Sequence, residues 1–241
     1  MKTIIIIQAR MGSSRLPGKV LMPLEKHPVL RYVVERCRMV ADVDDVIVAT
    51  STLPGDDRIA DWCVANNVSY FRGSEDDVLA RYYECACSFS PDYVIRVTAD
   101  CPFVDYEMAS EIVRTMKRMP SDIVLVQGEL PRGLVVEMIS FRALRHIYEH
   151  GHEPRHREHV TYYAYESPHD FSATTYDAPA NRRYPELRIT LDTEEDYALC
   201  QAVAEHFNGE VGVSAAEVVS YLNEHPKVAA INAHIEQKLI I

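Results

Sequence analysis

Residues Ile4 to Lys19 read I-I-I-I-Q-A-R-M-G-S-S-R-L-P-G-K. A β-branched apolar run stops abruptly at a polar turn rich in glycine, serine and basic side chains, the pattern of a buried strand emptying into an anion-binding loop. Gly12 and Gly18 permit close backbone approach and positive φ, Ser13 and Ser14 add hydroxyl and N–H donors, and Arg10, Arg15 and Lys19 supply three positive charges, so the loop suits a polyphosphate. It is not a P-loop of the NTPase kind. That motif places four residues between its glycines and Ser or Thr after its lysine, whereas five residues separate Gly12 from Gly18 and Val20 follows Lys19.

The rest of the composition makes this cationic cluster stand out. The chain has 241 residues, 47% hydrophobic and 25% charged, and carries a formal net charge of −11. That balance suits a soluble protein with one large core, residues 1–241 as a single domain, and argues against general nucleic-acid or anionic-membrane binding. No apolar run approaches the roughly 18 to 20 residues of a membrane span, and Ile4–Ile7 is too short for a signal-peptide core, so a cytoplasmic protein is expected. The six cysteines (Cys37, Cys63, Cys85, Cys87, Cys101 and Cys200) form no Cys-x-x-Cys pair and are expected to be reduced.

Downstream, strand and helix patterns alternate. Pro28–Met39 carries a helical apolar stripe, Asp45–Ser51 reads as a buried strand, Asp56–Asn66 as a helix and Ser69–Phe71 as a short strand. Asp76–Phe89 reads as a helix with acidic residues in its first turn, Asp92–Thr98 as a strand, and a helix capped by Asp105 follows. Four strand-loop-helix alternations predict an α/β fold with a doubly wound, mostly parallel, Rossmann-like sheet, its ligands at the carboxyl ends of the strands. The loops after Gln8, Phe71 and Thr98 are then expected to converge on one crevice. From about residue 128 to 185 the rhythm changes: strands at Leu134–Ile139 and Phe171–Tyr176 surround helices at Ser140–His150 and Glu153–Tyr165, an excursion for the acceptor or for dimerisation. Leu187–Leu191 is expected to return to the core sheet. Thr193 with Asp196, and Ser214 with Glu217, read as capping boxes.

Taken whole, Q-A-R-M-G-S-S-R-L-P-G-K resembles the signature of the CMP-sugar synthetases, the cytidylyltransferases that activate acidic sugars such as 3-deoxy-manno-octulosonate and the sialic acids. Within that family it is similar to the spore coat polysaccharide biosynthesis protein F group. The resemblance spans most of the chain and is strongest at residues 4–21, 92–105 and 187–197; the stretch from Asn232 to Lys238 shares it. It implies the nucleotidyltransferase fold, CTP and a sugar as substrates, Mg²⁺ as cofactor and a homodimer. Two acids at inferred strand ends, Asp100 in T-A-D-C-P and Asp192 in I-T-L-D-T, match the family's magnesium ligands, and carboxylates there suit an ion that shares substrate phosphates and water. Arg10 and Lys19 would neutralise triphosphate and departing pyrophosphate, and with Asp100 form the expected catalytic set. Ala9, Gly12, Ser13, Ser14, Arg15, Arg72, Ser74 and Thr98 fall where the family contacts nucleotide.

In the excursion, P-R-G-L-V-V-E (Pro131–Glu137) and R-H-R-E-H-V-T (Arg155–Thr161) resemble the spore coat group and point to Glu137, Arg157 and His159 as acceptor contacts, with Val135 where an Asp is expected. Two other functions fit a similar architecture. A metal-dependent glycosyltransferase would need an Asp-x-Asp motif, a spacing found only at Asp42-Val-Asp44, and a non-catalytic nucleotide-binding protein would not need Arg10, Lys19, Asp100 and Asp192 together.

Overall fold

The computed structural model describes residues 1–236, so the end of the Asn232–Lys238 stretch lies outside the described residues. The buried run from Thr3 forms β1 (Thr3–Gln8), followed by a small hairpin, β2 (Pro23–Leu24) and β3 (His27–Pro28), and by α1 (Val29–Arg38). The alternation then runs through β4 (Asp45–Ser51), α2 (Asp57–Ala65), β5 (Ser69–Gly73), α3 (Val78–Phe89), β6 (Tyr93–Thr98) and α4 (Tyr106–Arg118). One seven-stranded sheet collects these strands with β7 (Ile123–Gln127), β8 (Glu137–Ser140) and β9 (Ala173–Asp177), in the order β5-β4-β1-β6-β8-β7-β9. Only β8 runs against the rest, pairing antiparallel with both β6 and β7. The expected doubly wound α/β sheet is therefore present.

The four isoleucines explain why β1 is central. Ile5 and Ile7 face a core shared with α1, α2 and α4, while Ile4 and Ile6 face one shared with α3 and α5 (Phe141–His150). A strand covered on both faces needs apolar residues at every position, which is why the run is continuous. From β1 the chain winds outward to β4 and β5, then crosses back to lay β6 on the other flank of β1. That reversal opens a crevice beyond the carboxyl ends of β1 and β6, where an open α/β sheet binds ligands.

Several boundaries differ from expectation, each for a local reason. Leu187–Leu191 does not join the sheet, because β8 takes the place beside β6. It makes a single parallel bridge, Arg132 to Arg188, and buries Leu187, Ile189 and Leu191 against α8 (Glu194–His206) and α9 (Ala215–Glu224). The Leu134–Ile139 stretch enters the sheet only at Glu137, since Leu134 turns into that same second core and its carbonyl accepts from Asp105 N. Glu153–Tyr165 is not one helix but two, α6 (Pro154–Glu158) and α7 (Tyr162–Glu166). The break falls where Val160 is buried and the Thr161 hydroxyl is drawn to Glu137. Asp77 caps α3 by accepting from Ala80 N rather than lying within its first turn. Among the described residues no helix is long and apolar enough to cross a membrane.

A fully buried arginine ties the sheet's helical cover to the C-terminal helices. Arg36 on α1 donates to the carbonyls of Val104 (2.9 Å), Val211 (2.9 Å), Val213 (2.6 Å) and Phe103 (3.4 Å). Burial pushes its guanidinium down to about 10, which leaves it charged at neutral pH. Replacing it with methionine keeps much of the volume but strands these carbonyls without donors. Arg36→Met is expected to cost about 3 kcal/mol or more of stability, read as a lower urea midpoint with an unchanged slope.

Candidate active site

The loop after β1 is pinned at its base. Ala9 N extends the ladder by donating to Ala49 O (3.1 Å), and the Met11 carbonyl then accepts from both Ser13 N (2.9 Å) and Gly18 N (3.0 Å). Asp56, almost fully buried, receives Met11 N (2.7 Å) on one oxygen and the Ser51 hydroxyl and N–H on the other, joining this loop to the end of β4. Of the two glycines only Gly18 is left-handed (φ 74°), and it reverses the chain into a 3-10 turn that begins with Lys19. Gly12 instead serves close approach: a Cβ there would lie 3.2 Å from Glu75 Oε1.

Lys19 is the point of convergence. Its ammonium, nearly buried, donates to Asp100 Oδ2 (2.9 Å), Asp192 Oδ1 (2.9 Å) and the Leu191 carbonyl (2.7 Å). The two acids come together because Leu191 N and the Thr190 hydroxyl both donate to the Asp100 carbonyl (2.8 and 3.2 Å), splicing the 187–191 segment onto the loop after β6. Arg15 approaches Asp192 Oδ1 (3.1 Å), and Arg188 holds Oδ2 (3.0 Å). Burial alone would lower the Lys19 pKa, but the two carboxylates outweigh it and raise it, so the ammonium is firmly protonated. For Asp100, burial pushes upward, and Lys19 with hydrogen bonds from Thr98 and Cys101 brings it below the ordinary range. Cys101 is pushed up to about 12, mainly by burial, and is a thiol, not a nucleophile.

Asp100 and Asp192 thus present hard carboxylate oxygens to one common point. No group of three or more His, Cys, Asp or Glu is placed to hold a metal among the described residues. Two carboxylates facing one point fit Mg²⁺, which completes its shell from substrate oxygens and water, better than an ion needing an all-protein cage.

The other predicted residues separate into two groups. Arg10 reaches Glu75 Oε1 across the crevice (3.3 Å) and stays largely exposed. Ser14 is exposed, the Ser13 hydroxyl accepts from Leu16 N, and the Thr98 hydroxyl lies 3.2 Å from Cys101 Sγ. Arg72 is committed to scaffolding: its guanidinium donates to the carbonyls of Ser51 and Leu53 and pairs with Asp57, bracing the turn after β4. Ser74 accepts from Asp77 N through its hydroxyl and from Arg81 through its carbonyl, shaping the entry to α3.

Where β6 meets β8, Glu137 pairs with Arg96 and accepts from Thr161 and Tyr165 hydroxyls (both 2.8 Å). His159 is near this cluster, and burial lowers its pKa, leaving a neutral ring at pH 7. Arg157 departs from the expected role, because its guanidinium is taken up by Asp77 and the carbonyls of Tyr148 and Gly151. Sequence reasoning missed Arg96, Glu75 and Arg188. Arg96 and Arg188 had a visible signal, each a charged residue inside an apolar run, and Glu75 had none. A separate cavity of about 590 Å³, lined by His27 and Trp62 among others, opens between the β2–β3 hairpin and α2 and includes none of these groups.

A doubly wound sheet whose switch-point crevice carries a cationic loop over paired carboxylates defines a nucleotidyltransferase. The family model for cytidylyltransferases matches residues 4–222, and the chain belongs to that family. It is 36% identical over 231 residues to the spore coat polysaccharide biosynthesis protein SpsF of Bacillus subtilis, covering 94% of this chain and 96% of that one. A cytidylyltransferase from Leptospira borgpetersenii superposes with a TM-score of 0.89 at 28% identity, over 99% of this chain and all of that one. A CMP-2-keto-3-deoxy-manno-octonic acid synthetase complexed with CTP shares the fold with a TM-score of 0.68 at 18% identity, over 86% of this chain and all of that one.

The Lys19 bridge has a direct electrostatic test. In Lys19→Met the burial that raises the Asp100 carboxyl is no longer opposed by the ammonium. Its titration, followed by carbon NMR of the carboxyl, is expected to move upward from its wild-type position, and an unmoved titration would show that other donors hold it down.

Proposed function

We propose that this protein transfers the cytidylyl group of CTP to a sugar, forming a CMP-sugar and releasing pyrophosphate, for the synthesis of a surface polysaccharide or glycan. The observation that carries the reading is the Lys19 ammonium, which joins the loop after β1 to Asp100 and Asp192 at the switch point of a cytidylyltransferase-family chain. The likeness to a spore coat polysaccharide biosynthesis protein supports the polysaccharide, and the likeness to a synthetase complexed with CTP supports the nucleotide. An acidic or amino sugar follows from the wider resemblance.

In this reading the loop of residues 10–19 wraps the triphosphate, with Arg10 and Lys19 directed at charge that builds as the bond between the α-phosphorus and pyrophosphate breaks. Asp100 and Asp192 would hold Mg²⁺, which supplies charge neutralisation and orientation to the phosphates when bound. The acceptor oxygen forms its new bond to the α-phosphorus from the side of Gln8, Arg96 and Glu137, where neutral His159 and the Tyr165 and Thr161 hydroxyls supply further polar contacts. A homodimer formed through residues 128–185, where Val135 and Tyr165 are exposed, completes the proposal. The glycosyltransferase alternative loses its metal motif to geometry. Asp44 exchanges hydrogen bonds with the Thr3 backbone at the amino end of β1, the end of the sheet opposite the crevice.

Two measurements test the reading. By calorimetry CTP is expected to bind more tightly than ATP or GTP, and a preferred purine would leave a nucleotidyltransferase of another base. With CTP, Mg²⁺ and a panel of acidic and amino sugars, Asp100→Asn is expected to raise the Mg²⁺ needed for half-maximal pyrophosphate release and to reduce turnover on the order of a hundredfold. Wild-type turnover and metal dependence in that variant would remove Asp100 from the metal site.

A further inference from the structure

Asp196 is the hub of a buried network behind Asp192. Its Oδ2 accepts from the backbone N–H of Asp192 (2.9 Å) and Thr193 (3.1 Å) and from Arg188 Nη2 (2.9 Å). Its Oδ1 accepts from Arg188 Nε (2.8 Å) and, from 36 residues further along the chain, Asn232 Nδ2 (2.8 Å). The same Asn232 nitrogen donates its second hydrogen to the Arg188 carbonyl (3.0 Å). Two acceptors facing one nitrogen dictate which way round this amide lies. Asn232 and Asp196 are essentially inaccessible, at 1% and 0% exposure.

The network reaches the crevice through Asp192. Arg188 Nη2, gripped by Asp196, also donates to Asp192 Oδ2 (3.0 Å). With Oδ2 held from behind and the backbone N–H of Asp192 held by Asp196, the remaining oxygen, Oδ1, faces Lys19 and the Asp100 side of the cleft. The capping-box acid of α8 therefore does more than start a helix: it orients the acid four residues before it.

We infer that Asn232 is a positioning residue for Asp192, acting through Asp196 and Arg188 to aim the Asp192 carboxylate at the point it shares with Asp100. Asn232, beyond α9, is in this way part of the active site's construction, its amide donating to Asp196 and the Arg188 carbonyl. The inference rests on the reading of Asp192 as a metal ligand. Partners that orient ligating groups commonly change metal affinity by roughly 10- to 100-fold when removed.

The test uses the full chain with saturating CTP and Mn²⁺ as a spectroscopic stand-in for Mg²⁺, free Mn²⁺ being counted by electron paramagnetic resonance. Asn232→Ala is expected to weaken Mn²⁺ binding roughly tenfold. The Mg²⁺ needed for half-maximal pyrophosphate release should rise in parallel. Asn232→Ser, which loses the amide but keeps a hydroxyl, is expected to shift both in the same direction and serves if the alanine variant folds poorly. Ile231→Ala trims packing of the same segment against the second core without touching the network, so it should lower the melting temperature and leave Mn²⁺ binding unchanged. Asp192→Asn sets the scale. If it weakens Mn²⁺ binding while the Asn232 variants bind as wild type, or if Ile231→Ala shifts binding as much as they do, the positioning role is overturned. If Asp192→Asn itself binds Mn²⁺ normally, the metal reading falls, and the inference with it.

Discussion

One buried ammonium organises the active end of this protein. Lys19 meets Asp100 and Asp192 from a loop that begins directly after the central strand, and those acids lie 81 and 173 residues further along the chain. Two carboxylates brought so close repel each other, and burial makes that repulsion worse. The shared cation reverses the balance, holding Asp100 ionised and Lys19 protonated. A divalent ion and a triphosphate entering such a site would meet acids already charged and a cation already aimed, with little rearrangement left to make.

The sheet supplies the rigidity this arrangement requires. β1 is gripped on one flank by β4 and on the other by β6, over the full length of the isoleucine run. Its last residue therefore delivers the loop to a fixed place. Asp56 holds that loop to the end of β4, Arg72 braces the turn after β4, and Glu75 meets Arg10 from beyond β5. Four strand ends thus converge on one crevice. Asp56 and Arg72 stiffen them through hydrogen bonds to backbone N–H and carbonyl groups.

Charge is distributed unevenly in the crevice. On the side of the loop after β1, Arg10 and Arg15 remain substantially exposed in ion pairs with Glu75 and Asp192, the kind of pair that is weak in water. On the other side Arg96 and Glu137 neutralise each other and are surrounded by hydroxyls and a neutral imidazole, an environment of directional hydrogen bonds.

The buried strand, the cationic loop and the alternation of strand and helix were legible in the sequence because they depend on local periodicity and on residue types that a short segment displays by itself. The acid at the end of β6, Asp100, was legible by its place after a strand, and so was the Thr193–Asp196 cap. What local pattern could not decide was competition for space. Leu187–Leu191 has the composition of a core strand, yet β8 occupies the berth beside β6, so the segment packs on helices and makes its hydrogen bonds to the Asp100 loop. The same holds for charged side chains. Nothing near Arg157 or Arg72 shows that their guanidinium groups are satisfied by Asp77 and by the carbonyls of Ser51 and Leu53, and nothing near Asn232 shows that it faces Asp196. A charged or amide group takes the partner that folding brings within reach, and only the tertiary structure determines which partner that is.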